Sequence, residues 1–200
     1  MSADKDQHYA SYKDDIAAAV RVLRAGGLIV YPTDTVWGIG CDATNADAVA
    51  KVYALKERND HKAMITLVSN LAMLERTVSG IPDVAYELIE AAVSPLTIVY
   101  DRGTGVAANL MGDDGTLGVR LTRESFSNAL VRALGRPLVS TSANISGHPT
   151  PLCYAQIDPA VLAGVDYVCT SRRNEECAAG VKPSTVMRLS EDSTFKILRK

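Results

Sequence analysis

Short apolar runs alternate with amphipathic stretches along most of this chain. Ile16, Val20 and Leu23 recur at helical spacing and predict a helix over 14–25, stopped by Gly26-Gly27. A compact apolar run predicts a strand over 28–31. Val49, Val52 and Tyr53 share one side of a second predicted helix, 47–58, and a strand follows over 64–68. Ile81-Pro82-Asp83 opens a helix running to about 93, with proline in its first turn. Strands are predicted over 96–100 and 117–121, with an irregular, glycine-rich stretch over 101–115 between them. Phe126, Ala129, Leu130 and Ala133 mark an inward face on a helix over 125–134. A short strand over 138–140 then enters a polar loop, and two late strands are expected over 185–189 and 195–198.

Strands alternating with helices predict an α/β fold: a single domain with a twisted, open, mixed sheet flanked by helices. Residues 1–12 are polar and read as a flexible lead-in to a folded domain over 13–200. At 200 residues and 47% hydrophobic, the chain can bury one sizeable core. A net charge of −2 shows none of the basic excess usual in a nucleic-acid binder, though a local basic groove stays open. No apolar run reaches the roughly 18 residues of a membrane span, and the polar N-terminus has no signal-peptide core. A cytoplasmic protein with no membrane partner is therefore expected. Cys41, Cys153, Cys169 and Cys177 form no Cys-x-x-Cys pair and read as free thiols. With His8, His61 and His148 far apart, no protein-held metal site is expected.

The candidate chemistry gathers at strand ends. The strand over 28–31 runs into Pro32-Thr33-Asp34-Thr35, with Gly38 and Gly40 close behind. Hydroxyls, a carboxylate and glycines at a strand end suit close approach to a small ligand. Lys56, Arg58 and Lys62 crowd a helix end. They read either as a solvated terminus complementing the helix dipole or as a clamp for polyphosphate. Ser140, Thr141, Ser142, Asn144, Ser146 and Thr150 fill the loop after another strand, as turn formers or as neutral donors to an anion or nucleotide. Arg120 lies between Val119 and Leu121; aimed into a cavity it demands an anionic partner, for which a substrate carboxylate serves. Lys182-Pro183-Ser184-Thr185 is a further hydroxyl-bearing strand entry. Neither a P-loop, a Gly-x-Gly-x-x-Gly fingerprint nor a Gly-x-Ser-x-Gly elbow occurs.

Taken in order, these segments resemble the YrdC-like threonylcarbamoyl-AMP synthases. Tyr31-Pro-Thr-Asp-Thr-Val-Trp-Gly38 is similar to that family's opening signature, and Lys56-x-Arg58 with Ser142-x-Asn144 to its Lys-x-Arg and Ser-x-Asn pair. Ser94 to Val99, Thr116 to Arg120, Pro183 to Val186 and Ile197 to Arg199 match further blocks, so the likeness spans about residues 13–199. The resemblance implies a concave cavity on the α/β sheet and a reaction converting L-threonine, bicarbonate and ATP, with Mg²⁺, to threonylcarbamoyl-adenylate and pyrophosphate. Separate threonylcarbamoyl-transferring proteins then act on tRNA. It places Thr35, Arg120, Ser140 and Ser184 around L-threonine. It places Lys56, Arg58, Lys62, Thr116, Ser142, Asn144, Thr150 and Arg199 around ATP, with Lys56 and Arg58 in the catalytic role. No side chain is implied as a covalent nucleophile; positioning and charge stabilisation carry the chemistry. The chain departs from the pattern at Trp37, Glu57, Asn59 and Ala63, and Glu57 sets a negative charge beside the proposed clamp. A non-catalytic nucleotide- or RNA-binding module on the same fold is the alternative.

Overall fold

The computed structural model describes residues 3–58, 64–177 and 183–200, with residues 3–11 described through their helix alone. Among these, the α-helices are α1 (Ala3–Arg24), α2 (Ala46–Leu55), α3 (Leu71–Thr77), α4 (Asp83–Ala91), α5 (Ser125–Leu134) and α6 (Pro159–Ala163). The strands are β1 (Ile29–Tyr31), β2 (Gly38–Gly40), β3 (Ile65–Val68), β4 (Val78–Ser79), β5 (Leu96–Tyr100), β6 (Arg102–Gly103), β7 (Leu117–Leu121), β8 (Leu138–Ser142), β9 (Tyr167–Val168), β10 (Thr185–Leu189) and β11 (Phe195–Arg199). Nine strands form one sheet in the order β11-β10-β5-β7-β3-β8-β2-β1-β9, and β4 pairs with β6 separately. The pairs β10–β5, β3–β7 and β1–β9 are parallel; the other neighbours in the sheet are antiparallel. This is the open mixed sheet that the alternation of elements predicts.

Local chemistry sets the helix ends. The Asn45 side chain accepts from the amide of Ala48 at the start of α2, and Asn70 accepts from Met73 at the start of α3. Glu124 caps α5 through the amides of Phe126 and Ser127, and Gly135 ends that helix at φ 74°, where glycine carries no Cβ penalty. The inward stripe of α5 is Phe126, Leu130, Val131 and Leu134; Ala133, predicted inward, is exposed. α1 packs on α5 and β1, and α5 and α3 pack on β3.

Three features differ from the sequence reading. α1 reaches back to Ala3, so residues 3–12 continue the helix rather than forming a loose lead-in. Their polar composition hides good helix formers uninterrupted by glycine or proline. β2 is a strand of sequence Gly-Ile-Gly, which no strand propensity announces. Cys153 and Cys177 form a disulfide with their Cα atoms 4.7 Å apart, while Cys41 and Cys169 are free and buried. The expectation of free thiols fails for that pair because two loops meet in space, which linear spacing does not show. No helix among the described residues is long and apolar enough to cross a membrane.

Candidate functional site

Successive side chains on a strand point to opposite faces of its sheet. The registers Val186↔Arg199, Val186↔Thr97, Val99↔Gly118, Leu67↔Arg120, Ile65↔Ser140 and Gly38↔Ser142 therefore place one set of residues on one face. That face carries Arg199, Thr97, Gly118, Arg120, Ser140, Ser142 and Gly38, interspersed with Val186, Val99, Leu67 and Ile65, across seven adjacent strands. On β7 the alternation is plain: Leu117, Val119 and Leu121 take one side, Gly118 and Arg120 the other. Small and polar residues thus break up a surface that a core-facing sheet would fill with large apolar ones.

A cavity of about 450 Å³ lies over this face. All four residues predicted around an amino-acid ligand, Thr35, Arg120, Ser140 and Ser184, line it. So do Arg58, Ser142, Thr150 and Arg199 from the predicted nucleotide set. Gly118 leaves room in the floor, since a Cβ there meets only ordinary contacts at 3.7 Å and 3.8 Å. A second concavity of about 830 Å³ adjoins it, sharing Thr33, Thr35 and Pro183 and adding Asp34, Glu124, Arg172 and Lys200. Both volumes fall in the range of small-molecule sites.

Two further predicted residues, Lys56 and Asn144, stand behind the wall. Lys56 is 3% exposed, and its Nζ donates to the carbonyls of Ser142 at 2.7 Å and Asn144 at 2.6 Å. Its own carbonyl accepts from the amide of Ser146. Burial, helped by Arg58, pushes the Lys56 ammonium down to about 8, so it stays mainly charged at neutral pH. The Asn144 amide donates to the carbonyls of Ile145 and His148. Lys56 and Asn144 thus fix the loop that presents Ser142 and Thr150. Thr116 shares the face of Gly118 and Arg120, but its hydroxyl donates to Asp114 at 2.6 Å and it does not line the cavity. Lys62, with the departures at Asn59 and Ala63, lies outside the described residues.

The electrostatics favour an anion. Among the described residues, the cavity lining has three guanidinium groups, Arg58, Arg120 and Arg199, and no carboxylate. Burial and the neighbouring Arg120 both lower the pKa of Arg199, whose Nη2 donates to the carbonyl of Ser184 at 3.0 Å and to its hydroxyl at 3.2 Å. Arg120 is 3% exposed; its Nη2 sits 3.1 Å from Oδ1 of Asp34, and its Nε has no acceptor. Burial raises the pKa of Asp34 against the pull of Arg120, and Glu124 adds to the rise.

The Pro32–Thr35 turn is shaped from within. The Thr33 hydroxyl donates to the carbonyl of Val36 at 2.7 Å and accepts from the amide of Thr35 at 3.1 Å. The sequence reading placed Thr33 and Asp34 at a ligand-facing strand end without giving either a particular role, and passed over Arg172. Arg172, which donates to the carbonyl of Thr33 at 3.0 Å, comes from a distant loop and carries no sequence signal. Trp37, unusual at its position, is buried and packs on Tyr154 with ring centroids 5.3 Å apart. Arg173 covers the same Tyr154 ring at 5.0 Å.

Glu57, a second departure, stands at φ 50°. This is the left-handed region that glycine enters freely and a side chain enters at a cost of about 1 kcal/mol. Glu57→Gly is therefore expected to be neutral to stabilising by up to about 1 kcal/mol in a urea titration, glycine's larger unfolded-state entropy offsetting part of the relieved strain.

The Sua5/YciO/YrdC family model, described as telomere recombination, matches residues 21–200. A threonylcarbamoyl-AMP synthase of Xanthomonas campestris pv. campestris (strain B100) is 37% identical over 158 residues, covering 77% of this chain and 84% of the relative. The crystal structure of P. abyssi Sua5 complexed with L-threonine superposes with a TM-score of 0.82 at 28% identity, covering 92% of this chain and 53% of that one. This chain thus spans about half the length of that Sua5. E. coli YciO superposes with a TM-score of 0.78 at 28% identity, covering 92% of this chain and 88% of its own.

Proposed function

We propose that this chain, which belongs to the Sua5/YciO/YrdC family, is an L-threonylcarbamoyladenylate synthase. It forms threonylcarbamoyl-AMP and pyrophosphate from L-threonine, bicarbonate and ATP. The observation that carries this reading is the convergence of all four threonine-set residues and four nucleotide-set residues on one cavity.

Arg120 takes the threonine carboxylate, its unpartnered Nε matching the planar fork that such an acid needs. Ser140, Ser184 and Thr35 supply hydroxyls around the rest of the amino acid. The neutral threonine amine bonds to the bicarbonate carbon and water leaves, giving a carbamate. A carbamate oxygen then attacks the α-phosphorus of ATP and pyrophosphate leaves. Arg58 and Arg199 face the phosphates, with Ser142 and Thr150 beside them, and their charges offset the negative charge that grows there. Lys56 acts from behind by holding the loop that presents Ser142.

The lining offers a metal no carboxylate, and the described residues hold no group of three or more His, Cys, Asp or Glu fit for a metal ion. The Mg²⁺ expected with ATP would therefore be brought by the nucleotide rather than held by these residues, and would supply charge neutralisation at the phosphates. The product's destination is a tRNA adenosine beside the anticodon, reached through separate cytoplasmic transfer proteins.

The test is pyrophosphate release from ATP as L-threonine and bicarbonate are varied. Release that depends on both supports the synthase. Release indifferent to threonine, or nucleotide binding with no release, points instead to a module that keeps the cavity without turnover.

A further inference from the structure

Asp34 is a carboxylate at the cavity's edge that the proposed chemistry leaves unused. The turn held by Thr33 places it at the rim shared by the two concavities, 15% exposed at the side chain. Its Oδ1 is buried and receives no aligned hydrogen bond, although Arg120 Nη2 is 3.1 Å away. The nearby Glu124 is already committed: its two carboxylate oxygens accept the amides of Phe126 and Ser127 that open α5, and it sits 3.5 Å from Arg172. Arg120 for its part has a buried Nε without an acceptor. Asp34 is thus held by a single ion pair to Arg120, beside an Arg120 Nε that has no acceptor among the described residues.

A free amino acid answers both. Its ammonium nitrogen and carboxyl carbon are separated by roughly 2.5 Å, from standard bond lengths and angle. That is commensurate with the 3.1 Å between Asp34 Oδ1 and Arg120 Nη2. Resting on the threonine reading above, we infer that Asp34 receives the amino group of the substrate and makes the site specific for an α-amino acid over an acid lacking that group. Arg120 then reads the carboxylate and Asp34 the nitrogen. The pair also stays neutral as a unit before the zwitterion enters, which spares the cavity a lone buried charge.

The experiment compares two probes, L-threonine and (R)-3-hydroxybutanoate, which has the same carbon skeleton without the amino group. Binding of each is measured to the wild-type chain and to Asp34→Asn, with thermal melting to confirm folding. The wild type is expected to prefer L-threonine by about 100-fold or more, because a polar group built to meet a substrate nitrogen is left unpaired by the analogue. Asp34→Asn is expected to lose about 100-fold in L-threonine affinity while 3-hydroxybutanoate changes by less than about threefold, so the preference collapses.

Equal loss for both probes overturns the inference and leaves Asp34 as a brace for Arg120, with the threonine reading intact. An unchanged preference overturns it too. A wild-type chain that binds neither probe overturns the inference together with the reading beneath it. If Asp34→Asn does not fold, Asp34→Glu reads the same ratio. A preference for L-threonine retained above about tenfold supports the charge-based role, and its loss overturns it.

Discussion

Arg120→Met is expected to abolish threonine-dependent pyrophosphate release and to destabilise the chain by about 3 kcal/mol. The two losses have separate origins. The guanidinium is 3% exposed and stands 3.1 Å from Asp34, so its removal leaves a buried carboxylate uncompensated. The same removal takes the carboxylate receptor out of the cavity, where a desolvated charge partner is worth about 2–5 kcal/mol of binding. Adding Asp34→Asn separates them. The double variant regains most of the stability, read from its urea midpoint, because no orphan charge remains. Its activity stays lost. Arg120→Lys is expected to keep more stability than Arg120→Met yet recover little activity, since a point charge cannot reproduce two parallel donors. A double variant with restored turnover sinks the role given to Arg120.

Gly40→Ala carries the second large effect, on folding alone. A Cβ at Gly40 falls 2.7 Å from Cε1 of Tyr31 and 2.9 Å from the carbonyl oxygen of Val139. Tyr31 and Gly40 occupy the same face of neighbouring strands, and the ring lies across the space a side chain would need. Both obstacles are in the sheet interior, and Tyr31 is fully buried. Overpacking of this kind costs about 3 kcal/mol, a large part of the roughly 5–15 kcal/mol that holds an ordinary domain together. The expected result is a large drop in the melting temperature or failure to accumulate soluble protein. Pairing it with Tyr31→Leu returns part of the loss by clearing the ring but not the carbonyl. A Gly40→Ala chain of unaltered melting temperature removes the steric account of why β2 is Gly-Ile-Gly.

What the sequence made legible follows from where its signals are local. β5, β7 and α5 fall on the residues predicted, because each has a clean period and clear end signals such as Gly135. β2 was not legible: its strand character comes from flanking partners and from a ring on the strand beside it. α3, α6 and β9 are short elements whose residues give little periodicity. The site divides in the same way. The motifs named its hydroxyls and arginines, and the register of seven strands brings the strand-borne ones to one face. The placement of Lys56 behind the loop is a tertiary fact, set by two backbone carbonyls no motif describes. Arg172 enters through β9 running beside β1, a pairing of segments more than a hundred residues apart.

β11 gives the cavity an uneven frame. It is the outermost strand, bonded only to β10, and its five residues are all exposed. Its register shifts beside Val186, next to the position that aligns Arg199. Arg199 is thus a cavity residue mounted on an edge strand, tied inward chiefly through Ser184. Edge strands of this kind open at lower free energy than the sheet's centre. Backbone amides of β11 should therefore exchange with solvent faster than those of β7 until an anion bridges Arg199 to Arg120.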